Sequence, residues 1–453
     1  MLLLYHIADR IWCPWLLGAF LLLGVFLSFR TGFFQLFRLP MWWKCTFGSL
    51  FCSNQSQRGL SCLQALATAL ASTIGTGSIV GVATALTLGG PGSIFWLWLC
   101  SFFSMMISCV EKLLAVRYQC TDPDGLLQGG PMFYLRDGLH APRLAIFFCL
   151  ACLPATLTGG NLIQSSAIAD AAAHCFGIHR FHTGLITAFL AGIAMLGGIT
   201  RIAQLSSVLV PLMALFYLGS GLWVLITHID VLPHALTTIF QCALTPRSAL
   251  SGVGGWTTFT AIRYGIARGV FTNEAGLGTC AIAHGAANAE HPARQGMWGI
   301  FEVFCSSFLV CTITALTILV SGVYPSSELT GLSLTNAAFE SSFGSYGSLI
   351  VSITLLLFAF SSLVGWSYYG QQALRYLSGG DCFLPCYRFI FLLFILLGSL
   401  WDSQLLWTLV DLCNAFLSIP NLIALTLLSP HALTLLQQWE HLQLKLSKEK
   451  RER

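Results

Sequence analysis

Stretches of about twenty apolar residues recur along nearly all of this 453-residue chain, with few charges between them. A run of that length and character crosses a bilayer as an α-helix. Charged residues make up 9% of the chain and mean hydropathy is +0.76, whereas a soluble domain carries about 25% charge. Water cannot wet such a surface, so the chain is expected to be an all-α integral membrane protein. Eleven transmembrane helices are expected, near residues 12–29, 62–87, 93–118, 143–173, 182–199, 204–227, 262–287, 295–321, 345–376, 385–401 and 405–429. Segment 33–50 is aromatic and basic and is broken by Pro40; it reads as a helix lying in the membrane interface. Asp9 and Arg10 precede an apolar run with no small-residue cleavage site after it, so no cleaved leader is expected.

The cations set an orientation. With the N-terminus outside, 17 of the 22 Lys and Arg residues fall in inward segments. These include Arg30, Arg38, Lys44, Arg58, Lys112, Arg117 and the tail from Lys445 to Arg453. Arg10, Arg180, Arg247 and Arg263 fall outside, and Arg268 lies within a span. The positive-inside rule then puts the C-terminus in the cytoplasm.

Two spans carry residues that a lipid-facing helix would avoid. ASTIGTGSIVGVATAL, 71–86, holds Gly75, Gly77 and Gly81 among serines and threonines, and GVFTNEAGLGTCAIAHGAA, 269–287, holds Gly276 and Gly278. Each glycine costs a helix roughly 1 kcal/mol relative to alanine. Taken alone, the first stretch also fits close helix packing through small residues. The second stretch, however, opens the seventh span where the first opens the second, five spans earlier. An odd separation reverses the direction of entry, which gives an inverted repeat of five plus five helices behind one extra N-terminal helix. Gln164 follows Gly75 by 89 residues and Trp366 follows Gly276 by 90, so each sits on the third helix of its repeat. Paired, glycine-interrupted helices point to a midplane substrate site. Unwound backbone there frees N–H groups suited to a carboxylate and carbonyls suited to a small cation.

The 17 cysteines are scattered through apolar runs, and the Cys149/Cys152 pair lies within a span, so they read as small buried hydrophobes. No metalloprotease motif, nucleophile elbow or phosphate loop is present, so enzyme chemistry, cofactors and nucleic acid are not expected. A passive channel would need a continuous polar stripe, whereas the polar residues cluster at the two breaks. Glu274, inside the second break, is a candidate for gating or coupling. Glu111 and Asp170 read as hydrogen-bonding or snorkelling groups near span ends. Asp411 and Asn414 read as a polar clamp between helices, and His284 as a satisfied buried histidine.

The motifs LQALATALASTIGTGSIVGVATAL, GGPMFYLRDGL, GNLIQSSAIAD, GVFTNEAGLGTCAIAH, FAFSSLVGWSYYG and IPNLIAL resemble those of the alanine or glycine:cation symporters, from about residue 30 to 430. The resemblance implies a leucine-transporter-like core and cation-coupled uptake, with Na⁺ the coupling ion, of a small neutral amino acid, alanine or glycine. The competing function is a proton-coupled or uncoupled permease or exchanger. By motif position, the resemblance implies a substrate pocket at Gly75, Thr76, Gly77, Gln164, Asn273, Gly276, Gly278 and Trp366. It implies a Na⁺ site of carbonyls near Gly75 with the Ser361 and Ser362 hydroxyls. A monomer in the bacterial inner membrane is expected.

The chain departs from the family pattern at four positions. Ser78 stands for an asparagine, Ser108 for a lysine, Ser306 for an aspartate and Gln371 for an acid. Each removes a charge or amide, and together they bear on ion identity and coupling rather than on the fold. The expected organisation is an N-terminal helix (1–30), an interfacial segment (31–61), the first repeat (62–228), an extracytoplasmic connection (229–261), the second repeat (262–430) and a basic cytoplasmic tail (431–453).

Overall fold

The computed structural model describes residues 14–49, 60–122, 125–244, 258–324, 329–401 and 403–452. Asp9, Arg10, Arg58, Arg247 and Arg453, which entered the sequence reading, lie outside these residues, as does part of the 229–261 connection.

The described chain is helical almost throughout. After α1 (Pro14–Arg30) come two short helices, α2 (Phe34–Phe37) and α3 (Leu39–Cys45). Pro40 sits in the first turn of α3, where its missing N–H costs nothing, so it starts a helix instead of breaking one. Trp42 of α3 is buried and donates its indole N–H to the Gln35 carbonyl.

Helix α4 (Cys62–Thr73) opens with a capping box: the Ser61 hydroxyl accepts from Gln64 N–H, and the Gln64 side chain accepts from Ser61 N–H. After an interruption at 74–76 the chain resumes as a wide, π-type turn, Gly77–Gly81, and then α5 (Val82–Gly89), bent by 51° from α4. Then follow α6 (Gly92–Arg117) and a hairpin of two two-residue strands, Cys120–Thr121 with Leu127–Gln128. This small sheet and an isolated parallel bridge between Leu60 and Ala287 are the departures from the all-helical expectation among the described residues.

A single turn at Pro131–Phe133 leads to α7 (Pro142–Leu157) and α8 (Ile163–Phe176), joined by a π-type turn at Thr158–Leu162, and then to α9 (Arg180–Leu196) and α10 (Gly198–Thr227). The connection beyond holds α11 (Leu232–Leu244), a helix not anticipated from the sequence. The second half runs through α12 (Thr258–Asn273), a break at 274–278, α13 (Thr279–His284), α14 (Pro292–Val303) and α15 (Thr312–Val320). It continues with α16 (Gly331–Phe343), again unanticipated, α17 (Tyr346–Ser378), α18 (Leu384–Leu400) and α19 (Ser403–Glu452).

Among the described residues, six helical segments are long and apolar enough to cross a membrane, or seven with the bent α4–α5 pair counted as one span. The helices α1, α9 and α18 are apolar but shorter. Large apolar side chains stand exposed on the outer faces, such as Phe189 of α9 and Leu215 of α10; a continuous apolar exterior of this kind suits lipid. Helix α6 packs lengthwise against α12 and α14, and α17 packs against α4, α8 and α10, which brings both breaks to the centre.

Helix α19 is 50 residues, about 75 Å of rise, and runs through Pro420 and Pro430 well beyond the expected end of the last span. Near its far end, Trp439 stacks on His291 and Glu440 pairs with Arg38.

Candidate functional site

The two breaks face each other across a nearly closed cavity of about 10 Å³. Its wall includes Gly75 and Gly77 of the first break, Glu274 of the second, Gln164 of α8 and Trp366 of α17. Ser72, Thr73, Gly159, Phe271, Leu277 and Asn414 complete it. At that size the site is closed around its own side chains, with room for about one water, so a ligand enters only as the walls part.

At the first break the glycines make room. A Cβ on Gly75 would lie 2.5 Å from the Ser362 hydroxyl and 3.3 Å from the Gln164 amide; one on Gly77 would lie 2.6 Å from the Phe271 ring. The Thr76 N–H reaches Gln164 Oε1 at 3.4 Å, and the amide nitrogen of Gln164 donates to the Gly159 carbonyl at 3.3 Å. The Thr76 and Ser78 hydroxyls are buried without a partner.

The second break is a sequence of tight turns. Glu274, Gly276 and Gly278 all have positive φ (51°, 87° and 89°), a conformation open to glycine and unfavourable for glutamate. The Glu274 carboxylate is buried: Oε1 accepts from the Trp366 indole at 3.1 Å, and Oε2 from the Thr279 hydroxyl at 2.5 Å and the Cys280 thiol at 3.2 Å. Asn273 turns inward to accept from Ala275 N–H, leaving its own amide nitrogen unpartnered. Gly276 and Gly278 do not line the cavity; they press against Phe20 and against Pro131 and Phe148. Their place in the break is conformational.

Ser361 and Ser362 converge on the carbonyl of Ala71, at 3.1 and 3.0 Å, and Ser362 also reaches the Ser72 carbonyl at 3.0 Å. These uncharged oxygens, one turn before the first break, form a donor set suited to a hard monovalent cation. Its carbonyls belong to 71 and 72; the Gly75 carbonyl, expected in the set, accepts from Ser78 N–H at 3.2 Å instead.

Besides Gly276 and Gly278, two further site features differ from the sequence reading. Asn414 is no clamp: its Oδ1 is buried, unpartnered and on the cavity wall. The signal was an amide within an apolar run. Glu111 and Lys112 lie at no span end in contact with water; both are fully buried. Lys112 Nζ donates to Ser108 Oγ at 2.8 Å and to Glu111 at 3.1 Å, and approaches Glu302 at 3.4 Å. The ammonium expected at 108 is therefore present, supplied from one turn further along α6. Its place in the cytoplasmic charge count is withdrawn, which leaves the inward excess intact. Asp170 pairs with Arg180, and Gln371 accepts from Arg388 at 3.0 Å, where an acid was expected. Cys149 and Cys152 are buried free thiols.

A family model, "Sodium:alanine symporter family", matches residues 2–453. The chain belongs to the sodium:alanine symporter family. As such it is a multi-pass membrane transporter and not an enzyme. The sodium/alanine symporter AgcS of Methanococcus maripaludis is 40% identical over 426 residues, covering 92% of each chain. A probable sodium/glutamine symporter of Bacillus subtilis, GlnT, is 34% identical, covering 95% of this chain and 89% of that one. Among solved structures, a manganese transporter of Eremococcus coleocola aligns with a TM-score of 0.57 at 13% identity, covering 85% of this chain and 88% of that one. This last likeness concerns the fold alone. Within the symporter family, the cavity between the two breaks is the natural candidate for the substrate site.

Proposed function

We propose that this protein carries a small neutral amino acid, alanine or glycine, into the cell together with Na⁺. The observation that carries this reading is the one cavity where both breaks, the Gln164 amide, the Glu274 carboxylate and the Trp366 ring meet. An α-amino acid is a zwitterion, and the two walls differ in the same sense. The first break presents backbone N–H groups to a carboxylate, while Glu274 and the unpartnered Asn414 oxygen accept from an ammonium. Trp366 closes the space left for a side chain, which favours hydrogen or methyl. Na⁺ sits between the Ala71 and Ser72 carbonyls and the Ser361 and Ser362 hydroxyls, beside the substrate, so each ion favours the geometry the other needs. The names of the sodium/alanine and sodium/glutamine relatives support the same class of substrate and ion.

The topology proposed with this function has eleven crossings, as an inverted five-plus-five repeat behind α1. The N-terminus is outside and the C-terminus in the cytoplasm of the bacterial inner membrane. A cysteine placed in the tail, labelled only after permeabilisation, tests the orientation; labelling from outside intact cells overturns it. The function is tested by counterflow of labelled amino acids in proteoliposomes, with Na⁺, Li⁺ and H⁺ gradients imposed separately. Concentrative alanine or glycine uptake that collapses with the Na⁺ gradient is expected. Uptake indifferent to every gradient identifies an uncoupled exchanger.

A further inference from the structure

One lysine and one arginine are buried among the described residues, and they are provided for very differently. Lys112 faces two carboxylates, Glu111 at 3.1 Å and Glu302 at 3.4 Å. Arg268, on α12 shortly before the second break, faces none. It is 8% exposed and its Nε is buried without a partner. Among the described residues no carboxylate lies within ion-pairing distance of its guanidinium, and Asp411 of α19 is engaged elsewhere. A guanidinium keeps its proton at every accessible pH, so it cannot shed its charge as a buried lysine can. An ionised group at membrane depth needs a partner.

What the guanidinium has instead is aromatic. Its carbon lies 4.6 Å from the centre of the Trp407 ring of α19 and 5.9 Å from that of Phe271. The two rings meet edge to face, their centres 5.2 Å apart. The aliphatic stem passes Gly81, where a Cβ would lie 3.7 Å from Arg268 Cδ. A planar cation is held over a ring by the attraction of the ring's negative face. That contact leaves the N–H donors in the guanidinium plane unused, and those donors are the ones that grip a carboxylate in a bidentate pair.

The stack adjoins the substrate cavity without belonging to its wall. Phe271 is on the wall, and its ring occupies the space a Cβ on Gly77 would need. Trp407 and Arg268 stand behind Phe271, off the wall. In the topology proposed above, α12 enters from the extracytoplasmic connection, so Arg268 stands on the outer side of the break. The cavity has room for about one water. An amino acid arriving from outside therefore meets the stack before it meets the first break.

We propose that Arg268 is an outer docking site for the carboxylate of the incoming amino acid, occupied before the first break is reached. This rests on the transport function and direction proposed above and adds a second substrate position to them. The carboxylate draws the guanidinium off the Trp407 face. Trp407, and Phe271 with it, is then free to turn, and the outer wall of the cavity parts. The carboxylate moves on to the N–H groups of the first break, and the guanidinium returns to the ring behind it. This site reads only the carboxylate that every α-amino acid carries, which leaves the choice of side chain to Trp366.

The test uses the full-length protein in proteoliposomes under a fixed inward Na⁺ gradient and measures initial uptake of labelled alanine. Propionate is the probe, because it has the carboxylate of alanine and no ammonium for Glu274. Arg268→Gln is expected to raise the KM for alanine about tenfold, with the maximal rate within about twofold, and to weaken inhibition by external propionate about tenfold. Arg268→Lys, which keeps the charge without the planar fork, should fall between the two. A lower maximal rate with KM and propionate inhibition unchanged makes Arg268 a prop for the stack and overturns the proposal. Replacing external chloride with methanesulfonate tests the other source of an anion. If that replacement shifts the KM of wild type but not of Arg268→Gln, and propionate inhibits both alike, the occupant is inorganic and the proposal falls. If Arg268→Gln does not fold, Arg268→Met, which keeps the stem beside Gly81, gives the same reading. If wild type takes up no amino acid at all, the transport reading fails, and propionate binding to the purified protein decides the site independently. Binding weakened about tenfold in Arg268→Gln upholds it, and equal binding overturns it.

Discussion

The two breaks use glycine for opposite reasons. At the first, neither Gly75 nor Gly77 has positive φ; what they supply is space, since a side chain at either would collide with Ser362 or Phe271. At the second, Gly276 and Gly278 supply left-handed backbone, and Glu274 adopts it too. The hydrogen bonding divides in the same way. The first break leaves the Thr76 and Ser78 hydroxyls unpartnered and gives Thr76 N–H only a long contact with Gln164. The second is held by its own neighbours, through Asn273 to Ala275, Thr279 to Glu274 and Asn421 to Gly276. Unwinding in a membrane needs replacement partners. Both breaks bond part of their own backbone, Gly75 and Ser78 N–H at the first and Leu277 N–H at the second, but the first leaves two hydroxyls open where the second ties its side chains to one another, so a pair related by pattern is not a pair related by role.

Substitutions that act on one break and not the other sharpen this contrast. The largest effect is expected for Gly77→Leu, which should abolish uptake per folded, inserted molecule because it fills the space backbone needs to meet the ligand, and should also lower thermal stability through its clash with Phe271. Uptake near normal from well-inserted protein would erase the distinction between the breaks.

Gly278→Ala should act on folding instead. Left-handed backbone costs an L-residue about 1–2 kcal/mol, and a Cβ 2.5 Å from the Pro131 ring adds overpacking, for a total of about 3 kcal/mol. Thermal unfolding in detergent should show the loss, with turnover per folded molecule little changed. Loss of turnover at unchanged stability would place Gly278 in the binding site.

Smaller still is the Ser361→Ala, Ser362→Ala double substitution. Removing two hydroxyl ligands at about 1 kcal/mol each should raise the Na⁺ concentration for half-maximal uptake about 30-fold. Unchanged Na⁺ dependence would remove the cation from this place. Trp366→Phe loses the indole donor to Glu274 and part of the ring's bulk, and the lost hydrogen bond alone should lower alanine affinity about fivefold, the effect of about 1 kcal/mol. If valine and leucine then compete as well as alanine does, the tryptophan's bulk, and not its hydrogen bond, sets the size of the site.

Much of this was legible in one dimension. Apolar runs located the helices, and glycines inside them located both interruptions, because few other causes put helix-weakening residues at membrane depth. Gln164 and Trp366, far apart in the chain, meet at one cavity as their matched spacing implied. What escaped was side-chain direction. Gly276 and Gly278 sit in a break yet face away from the cavity, since positive φ turns the chain there. Asn414 faces into it from a helix that looked like packing. Lys112 was taken for a surface cation although its spacing of four from Ser108 puts both on one face of α6; that signal was present and went unread. The helices α11 and α16 lie in connections that hydropathy marks only as gaps between spans.

Helix α19 carries Asn414 at the cavity, Asn421 at the second break and, further on, His431 against Tyr118, Trp439 against His291 and Glu440 against Arg38. A rod gripped at its middle and near its end transmits displacement, with Pro420 and Pro430 as the places where it can flex. The residues around 440 therefore lie at the far end of a helix whose nearer part lines the cavity, and movement of one end is expected to reach the other. A spin label or fluorophore there would register occupancy of the cavity without touching it. A bulky fusion attached at the same end would load the mechanism it was meant only to mark.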